Sequence, residues 1–236
     1  DSLVSRRVLQ YFQMSKQVKR LYSEFQPNNY RLSLVPDRDK ATFSGSVVIS
    51  GKKTGKPSKR LTFHQKGLKI TSAKMIKHDK TGPKELLIDR INNHEKFDEV
   101  RLHSTSMVYP GNYEVVLEFT GNITEGMHGI YPCNYKIKNK SKQWIATQFE
   151  SHHAREAFPC IDEPEAKAVF ELSLAVPEKE TALSNMPAKK KASKKGFVDF
   201  EPTPKMSTYL LAFVIGEMQH KEVVTKDGVK VRVWAT

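Results

Sequence analysis

A chain of 236 residues that is 38% hydrophobic, 28% charged and 9% aromatic can build a sizeable core, as one large all-β unit or as two smaller domains, and is not a disordered one. Lys+Arg of 39 against Asp+Glu of 26 gives a net charge of +13, which favours polyanions at long range, but the lysines are spread along the chain at often alternate positions and read as a solvated surface without a nucleic-acid role. No run approaches the roughly 18 apolar residues that span a bilayer and no signal-peptide core is visible, so a membrane-spanning helix is excluded and a cytoplasmic protein is expected.

Residues 1–13, DSLVSRRVLQYFQ, stand apart from the strand pattern of the remaining chain and look like the remnant of a cleavable expression tag ahead of Met14. Residues 14–25 read as an N-terminal extension in which Val18, Leu21 and Tyr22 suit a short helical stretch or, equally, a basic tail lying over a sheet. At Tyr30 the period becomes two: Tyr30, Leu32 and Leu34 alternate with Arg31 and Ser33, and Phe43, Val47 and Ile49 come after the turn at Pro36 to Asp39. After the polar connector 52–59, strands are expected over 60–64, 68–76, 85–91, 99–103 and 113–120. Gly82-Pro83, Asn92-Asn93 and Pro110-Gly111-Asn112 mark turns between them.

A glycine-bearing loop, GNITEGMHGIYP, then leads to a strand over 143–148. Beyond an irregular crossover, strands are expected over 168–176, 182–185, 196–200, 208–216, 221–224 and 229–236. The lysine-rich run Lys189 to Lys195 falls between two of these, where like-charge repulsion suits a solvated hairpin tip. The pattern is that of an all-β fold, a saddle-like antiparallel sheet or sandwich, with strand pattern still running at Thr236, as expected of a fragment.

Self-sufficient catalytic motifs are missing. His94-Glu95 is followed by Lys96, Phe97 and Asp98, so the i, i+4 histidines of a zinc helix do not form, and no G-x-S-x-G or phosphate loop occurs. The neighbours His152 and His153 are expected to point apart, as exposed polar residues rather than metal ligands. Cys133 and Cys160 form no C-x-x-C; the two could join in a disulfide, but reduced thiols are expected.

The crossover Trp144 to Phe170 is the exception to this scaffold. It places Gln148, Glu150, His152, His153, Arg155, Glu156, Asp162 and Glu163 among Phe149, Phe158, Cys160 and Phe170, and charges beside apolar groups must be paired or aimed at a ligand. If the strand persists, Gln148 and Glu150 share one face with Phe149 buried on the other, presenting an amide and a carboxylate that together suit an ammonium group. At about 4 Å and an effective dielectric near 20, that contact gives about 4 kcal/mol of Coulomb attraction before desolvation. The simpler alternative is a surface ion pair of Glu150 with Arg155 or Lys167.

The run Ala146-Thr147-Gln148-Phe149-Glu150, then Ala154 to Cys160, Asp162-Glu163-Pro164, Lys167-Ala168 and Phe170 closely resembles the signature near the end of the N-terminal domain of the aminopeptidase N family of zinc gluzincins. Phe43-Ser44-Gly45, Gly129-Ile130-Tyr131 and Leu183 to Pro187 extend the resemblance over residues 26–236. Ser151-His152-His153 departs from the family pattern. The resemblance implies a β-saddle domain ahead of a thermolysin-like catalytic domain, placed after Thr236, that carries the zinc ligands. It also implies that Gln148 and Glu150 bind the free N-terminus of a peptide substrate, with Glu150 as main anchor, while Arg155, Asp162 and Glu163 form internal pairs that shape the loop. On this reading the chain holds no catalytic residue and no metal of its own, and should not hydrolyse peptides alone. Two other classes remain: a non-catalytic scaffold of the same fold whose positive charge serves nucleic acid or an acidic protein partner, and a free-standing β-sandwich binding module.

Overall fold

Alternation of large apolar and polar residues sends successive side chains to opposite faces, and most of the chain does form strands. The computed structural model describes residues 20–236; the expectations for residues 1–13, and for 14–25 up to position 19, lie outside the described residues. Sixteen strands occur among those described. They are β1 (Phe25–Asp37), β2 (Thr42–Lys53), β3 (Ser58–His64), β4 (Lys69–Asp79), β5 (Gly82–Leu86), β6 (Ile88–His94), β7 (Glu99–Val108), β8 (Gly111–Asn122), β9 (Gly129–Ile137), β10 (Lys140–Gln148), β11 (Val169–Ala175), β12 (Thr181–Ser184), β13 (Phe197–Asp199), β14 (Phe213–Gly216), β15 (Gln219–Val224) and β16 (Lys230–Ala235). Among the described residues no helix is longer than a single 3-10 turn, and none is long and apolar enough to cross a membrane.

A seven-stranded sheet in the order β13-β11-β1-β2-β8-β4-β5 forms the frame. Its neighbours are antiparallel except β1 and β11, which run parallel from Asn29↔Val169 to Leu34↔Leu174. The other sheets are β12-β14-β10-β9, β3-β7-β6 and the hairpin β15-β16. One contiguous apolar cluster runs from Leu21 to Ile215, drawing Leu32 and Val47 from the large sheet, Phe63 and Leu102 from the three-stranded one, and Ile145 and Phe213 from the four-stranded one. Arg38, just past β1, reaches both carboxylate oxygens of Glu180 at 2.7 and 2.6 Å and the carbonyl of Ile215 at 3.2 Å, so it ties the large sheet to the sheet that holds β10.

Local chemistry sets the details. In β1 the buried positions shift phase between Pro27 and Tyr30, where a bulge interrupts the register with β2. Opposed across β2 and β8 are Phe43 with Gly121 and Gly45 with Phe119. A Cβ on Gly121 would sit 2.4 Å from the Phe43 ring, and one on Gly45 2.7 Å from the Phe119 ring, so each glycine makes the bed for the aromatic opposite.

Several expectations are corrected. The stretch 85–91 is two strands, β5 and β6, broken at Leu87; Gly82-Pro83 lies inside β5, an edge strand with no neighbour to miss the proline N–H, and Asn92-Asn93 lies inside β6. The last four residues of the expected loop 121–132 open β9, paired along its length with β10. The stretch 208–216 divides into a 3-10 turn, Thr208–Leu210, and the short β14. Lys189 to Lys195 does form a solvated tip, closed by the antiparallel bridge Ala188↔Phe200 and by the Lys189 N–H donating to the Asp199 carbonyl at 2.7 Å, with Lys190, Lys191, Lys194 and Lys195 exposed; β12 and β13 themselves belong to different sheets.

Candidate functional site

Between the end of β10 at Gln148 and the start of β11 at Val169 the backbone leaves the ladder, so its polar groups need other partners. A clamp beneath supplies them. Asp162, its side chain 1% exposed, accepts from Arg155 Nε at 3.0 Å and from Thr208 Oγ1 at 2.6 Å, and Arg155 Nη2 donates to the Asp162 carbonyl at 3.2 Å. The Asp162 N–H donates to His64 Nδ1 at 3.0 Å, and His64 and Cys160 exchange backbone hydrogen bonds of 2.8 and 3.1 Å. Burial, with the nearby Arg155 charge, pushes the His64 imidazole down to about 3, so it stays neutral and keeps Nδ1 free to accept.

Aromatic rings hold the same segment from the core. Tyr30 stacks on Phe170 with centroids 5.0 Å apart, meets Phe158 edge-on at 6.0 Å, and its hydroxyl accepts the Ile161 N–H at 3.1 Å. Phe149 meets Phe158 at 6.1 Å. Each of these buried rings contributes about 1.5–3 kcal/mol, which fixes Phe149 and thereby its two neighbours. Burial also drives the Tyr30 phenol and the Cys160 thiol well above their ordinary values, so both remain protonated.

Gln148 and Glu150 stand on the outer side of Phe149, which is 1% exposed, while both of them are exposed. They are not two residues of one strand, as β10 stops at Gln148 and Glu150 opens the turn. The amide of Gln148 closes that turn: its Oε1 accepts the Glu150 N–H at 3.1 Å. The His153 N–H then donates to the Phe149 carbonyl at 2.9 Å, which folds the loop back on itself. Among the described residues the Glu150 carboxylate has no ion pair or hydrogen bond. Arg155, offered as its partner, is committed to Asp162 and lies 3.9 Å from Asp98.

Of the three residues expected to shape the loop, Arg155 and Asp162 pair as expected. Glu163 does so differently: its carboxylate accepts the backbone N–H groups of Leu21 at 2.8 Å and Tyr22 at 3.4 Å, and so fastens the 3-10 turn Leu21–Ser23. The histidine expectation is also corrected, since the rings of His152 and His153 stack at 4.7 Å rather than pointing apart. His153 also stacks at 4.3 Å on His128, and both meet Glu156. His128 and Glu156 are 28 positions apart, and only the β9–β10 hairpin brings them together. The neutral His64 and the Tyr30 hydroxyl also escape sequence reasoning, because each lies on an ordinary-looking strand.

His94 and Glu95 are not arranged for metal: His94 ends β6 and its ring stacks on Phe97 at 4.9 Å, while Glu95 starts a 3-10 turn. Cys133 and Cys160 are both free.

The family described as the Peptidase M1 N-terminal domain matches residues 26–210. Aminopeptidase N of Lactococcus lactis subsp. lactis is 41% identical over 228 residues, which cover 94% of this chain and 25% of that protein. Aminopeptidase N of Lactobacillus helveticus is 39% identical over 93% of this chain and 24% of its own length. Aminopeptidase M1-A of Oryza sativa subsp. japonica is 36% identical over 88% and 24%. The chain therefore spans about a quarter of the length of the curated relatives it matches. A match across most of the β scaffold and the whole crossover means that this chain belongs to the peptidase M1 family, as its N-terminal domain.

Proposed function

We propose that this chain is the substrate-anchoring domain of a zinc-dependent aminopeptidase, in which Glu150, assisted by Gln148, holds the protonated α-amine of a peptide. The observation that carries this is a contrast within one loop. Glu156, Asp162 and Glu163 are all engaged, whereas the Glu150 carboxylate is exposed and has no partner among the described residues. The loop that presents it is braced by Phe149 below and by the Gln148 amide at its side. An α-amine of pKa about 8 is mostly charged at neutral pH, so a fixed carboxylate discriminates a free N-terminus from an internal peptide bond. Gln148 Oε1 retains a second lone pair for the same ammonium.

Zinc bound in the parent enzyme would supply a Lewis acid and an activated water. The present residues do not offer it an H-E-x-x-H site, and the share of this chain is to bind the amine, orient the peptide and form one wall of the cleft against a catalytic domain. Two unbonded thiols suit a reducing, cytoplasmic setting.

The test is Glu150→Ala in the full-length enzyme. With no bond from this carboxylate to the fold, stability should be unaffected while kcat/KM for peptides falls about 100-fold, or about 2.7 kcal/mol. A change within about threefold overturns the anchor role and favours a non-catalytic scaffold.

A further inference from the structure

A second constellation lies on the other side of the same loop. His128, in the segment entering β9, and His153 and Glu156, in the crossover, bring two imidazoles and a carboxylate together so that one ligand atom from each lies within 4.8 Å of the others. His128 Nδ1 is 2.7 Å from Glu156 Oε2, and His153 Nδ1 is 3.1 Å from Glu156 Oε1. The backbone is shaped for this approach. Gly129 has φ of +65°, and a Cβ there would sit 3.0 Å from Glu156 Oε2. Gly129 also pairs with Gln148, so the cluster abuts the end of β10.

We propose that His128, His153 and Glu156 form a binding site for a borderline divalent cation of the zinc class. Two imidazole nitrogens and one carboxylate oxygen are the donor set that selects zinc, cobalt, nickel or copper over magnesium or calcium, which prefer oxygen donors alone. In a tetrahedral site with bonds of about 2.0–2.1 Å, neighbouring donors stand about 3.3 Å apart. The two histidine–carboxylate distances, each to a different oxygen of Glu156, are shorter than that by about 0.2 and 0.6 Å, while the three donors as a set span up to 4.8 Å, so ligation takes a small outward shift at the carboxylate and an inward tilt of a ring. The two rings are stacked, and His128, with its side chain 41% exposed, is free to tilt toward a shared ion.

A cation already sits at this carboxylate and must leave. Lys66 Nζ now lies 3.1 Å from Glu156 Oε1, with its side chain 49% exposed, and it swings into water when a dication takes its place. With its proton on Nε2, each imidazole offers the Nδ1 lone pair, the atom that faces Glu156, to the ion. Lys66, Asn122, Thr124, His128 and Glu156 line a cleft through which an ion would reach the cluster. Once bound, the ion bridges the entry of β9 to the loop that presents Glu150. The site rests on its own residues and stands whether or not Glu150 captures an amine.

The experiment is a calorimetric titration of the 236-residue chain with zinc chloride, repeated with cobalt and magnesium chlorides. Absence of H-E-x-x-H from the sequence removes the usual competing site. The expected result is saturable one-to-one binding of zinc and cobalt, a tetrahedral cobalt absorption spectrum, and no binding of magnesium. His128→Ala should weaken zinc by about tenfold or more, and Lys66→Ala, which removes the competing ammonium, should tighten it about threefold. Tightening by Lys66→Ala is what a purely structural hydrogen-bond cluster would not produce. No saturable zinc binding, or an affinity that His128→Ala changes by less than tenfold and Lys66→Ala does not raise, overturns the proposal.

Discussion

The crossover after β10 and the terminal hairpin β15–β16 invert the usual association of regular backbone with buried side chains. Residues 149–168 form no strand, yet Ala154, Ala157, Phe158, Cys160 and Ile161 are fully buried, and Asp162 nearly so. The hairpin has six paired positions in perfect register, yet every residue of β15 is exposed and Val223, Val231 and Val233 face solvent. A ladder satisfies backbone groups wherever it lies, so the hairpin keeps its pairing geometry with its side chains in water. The crossover has no ladder and must satisfy the same groups with Tyr30, His64 and Asp162, which ties it to the core at fixed points.

Breaking the clamp therefore tests the difference most severely. Asp162→Ala leaves the Arg155 guanidinium, 13% exposed, without its main partner and Thr208 without its acceptor. It should lower the free energy of unfolding by about 3–5 kcal/mol, read from urea denaturation of the chain.

Acid should act on the same region more gradually. The folded-state value of His64 is lowered to about 3 from the ordinary 6.5, so between these values the unfolded chain holds a proton that the folded chain refuses. Stability is thus full above about pH 6.5 and falls as pH drops toward about 3, by about 2 kcal/mol between pH 6.5 and 5. In His64→Asn, whose amide oxygen still accepts from Asp162 N–H, that part of the pH profile should flatten; an unchanged slope would mean that His64 is already charged in the fold.

At the other extreme, Val233→Thr in the hairpin, at a residue 69% exposed, should shift stability by no more than about 0.5 kcal/mol in the same denaturation. A larger loss would mean that the hairpin packs against the rest of the chain in solution.

The strands were legible where one face is buried. Tyr30, Leu32 and Leu34, or Val115, Leu117 and Phe119, alternate because water lies on one side only. Legibility failed for β9, where Tyr131, Pro132 and Cys133 are all half-buried and carry little alternation, and for β5, where a proline is harmless at an edge. The parallel pairing of β1 with β11 has no local signature, since nothing near Tyr30 announces a partner as distant as Phe170.

In the candidate site, the Gln148-x-Glu150 spacing and the Arg155–Asp162 pair could be read from the crossover. What could not be read was which carboxylate stays unengaged, because Glu163 reaches backbone at Leu21 and Glu156 reaches His128 only through tertiary approach.

The parallel pair has a consequence for how the chain comes to be folded. Asn29, in β1, hydrogen-bonds Glu171, in β11, across 142 residues. At synthesis rates of about 5–20 residues per second, β1 waits roughly 7–30 s for its parallel neighbour. For that interval one edge of β1 is an open strand, and the Tyr30 ring lacks Phe158 and Phe170. β1, β2 and β8 can assemble early as an antiparallel core, whereas the crossover acquires its shape only when β11 docks. The loop that presents Glu150 thus becomes ordered later than the β1–β2–β8 core on which it is built.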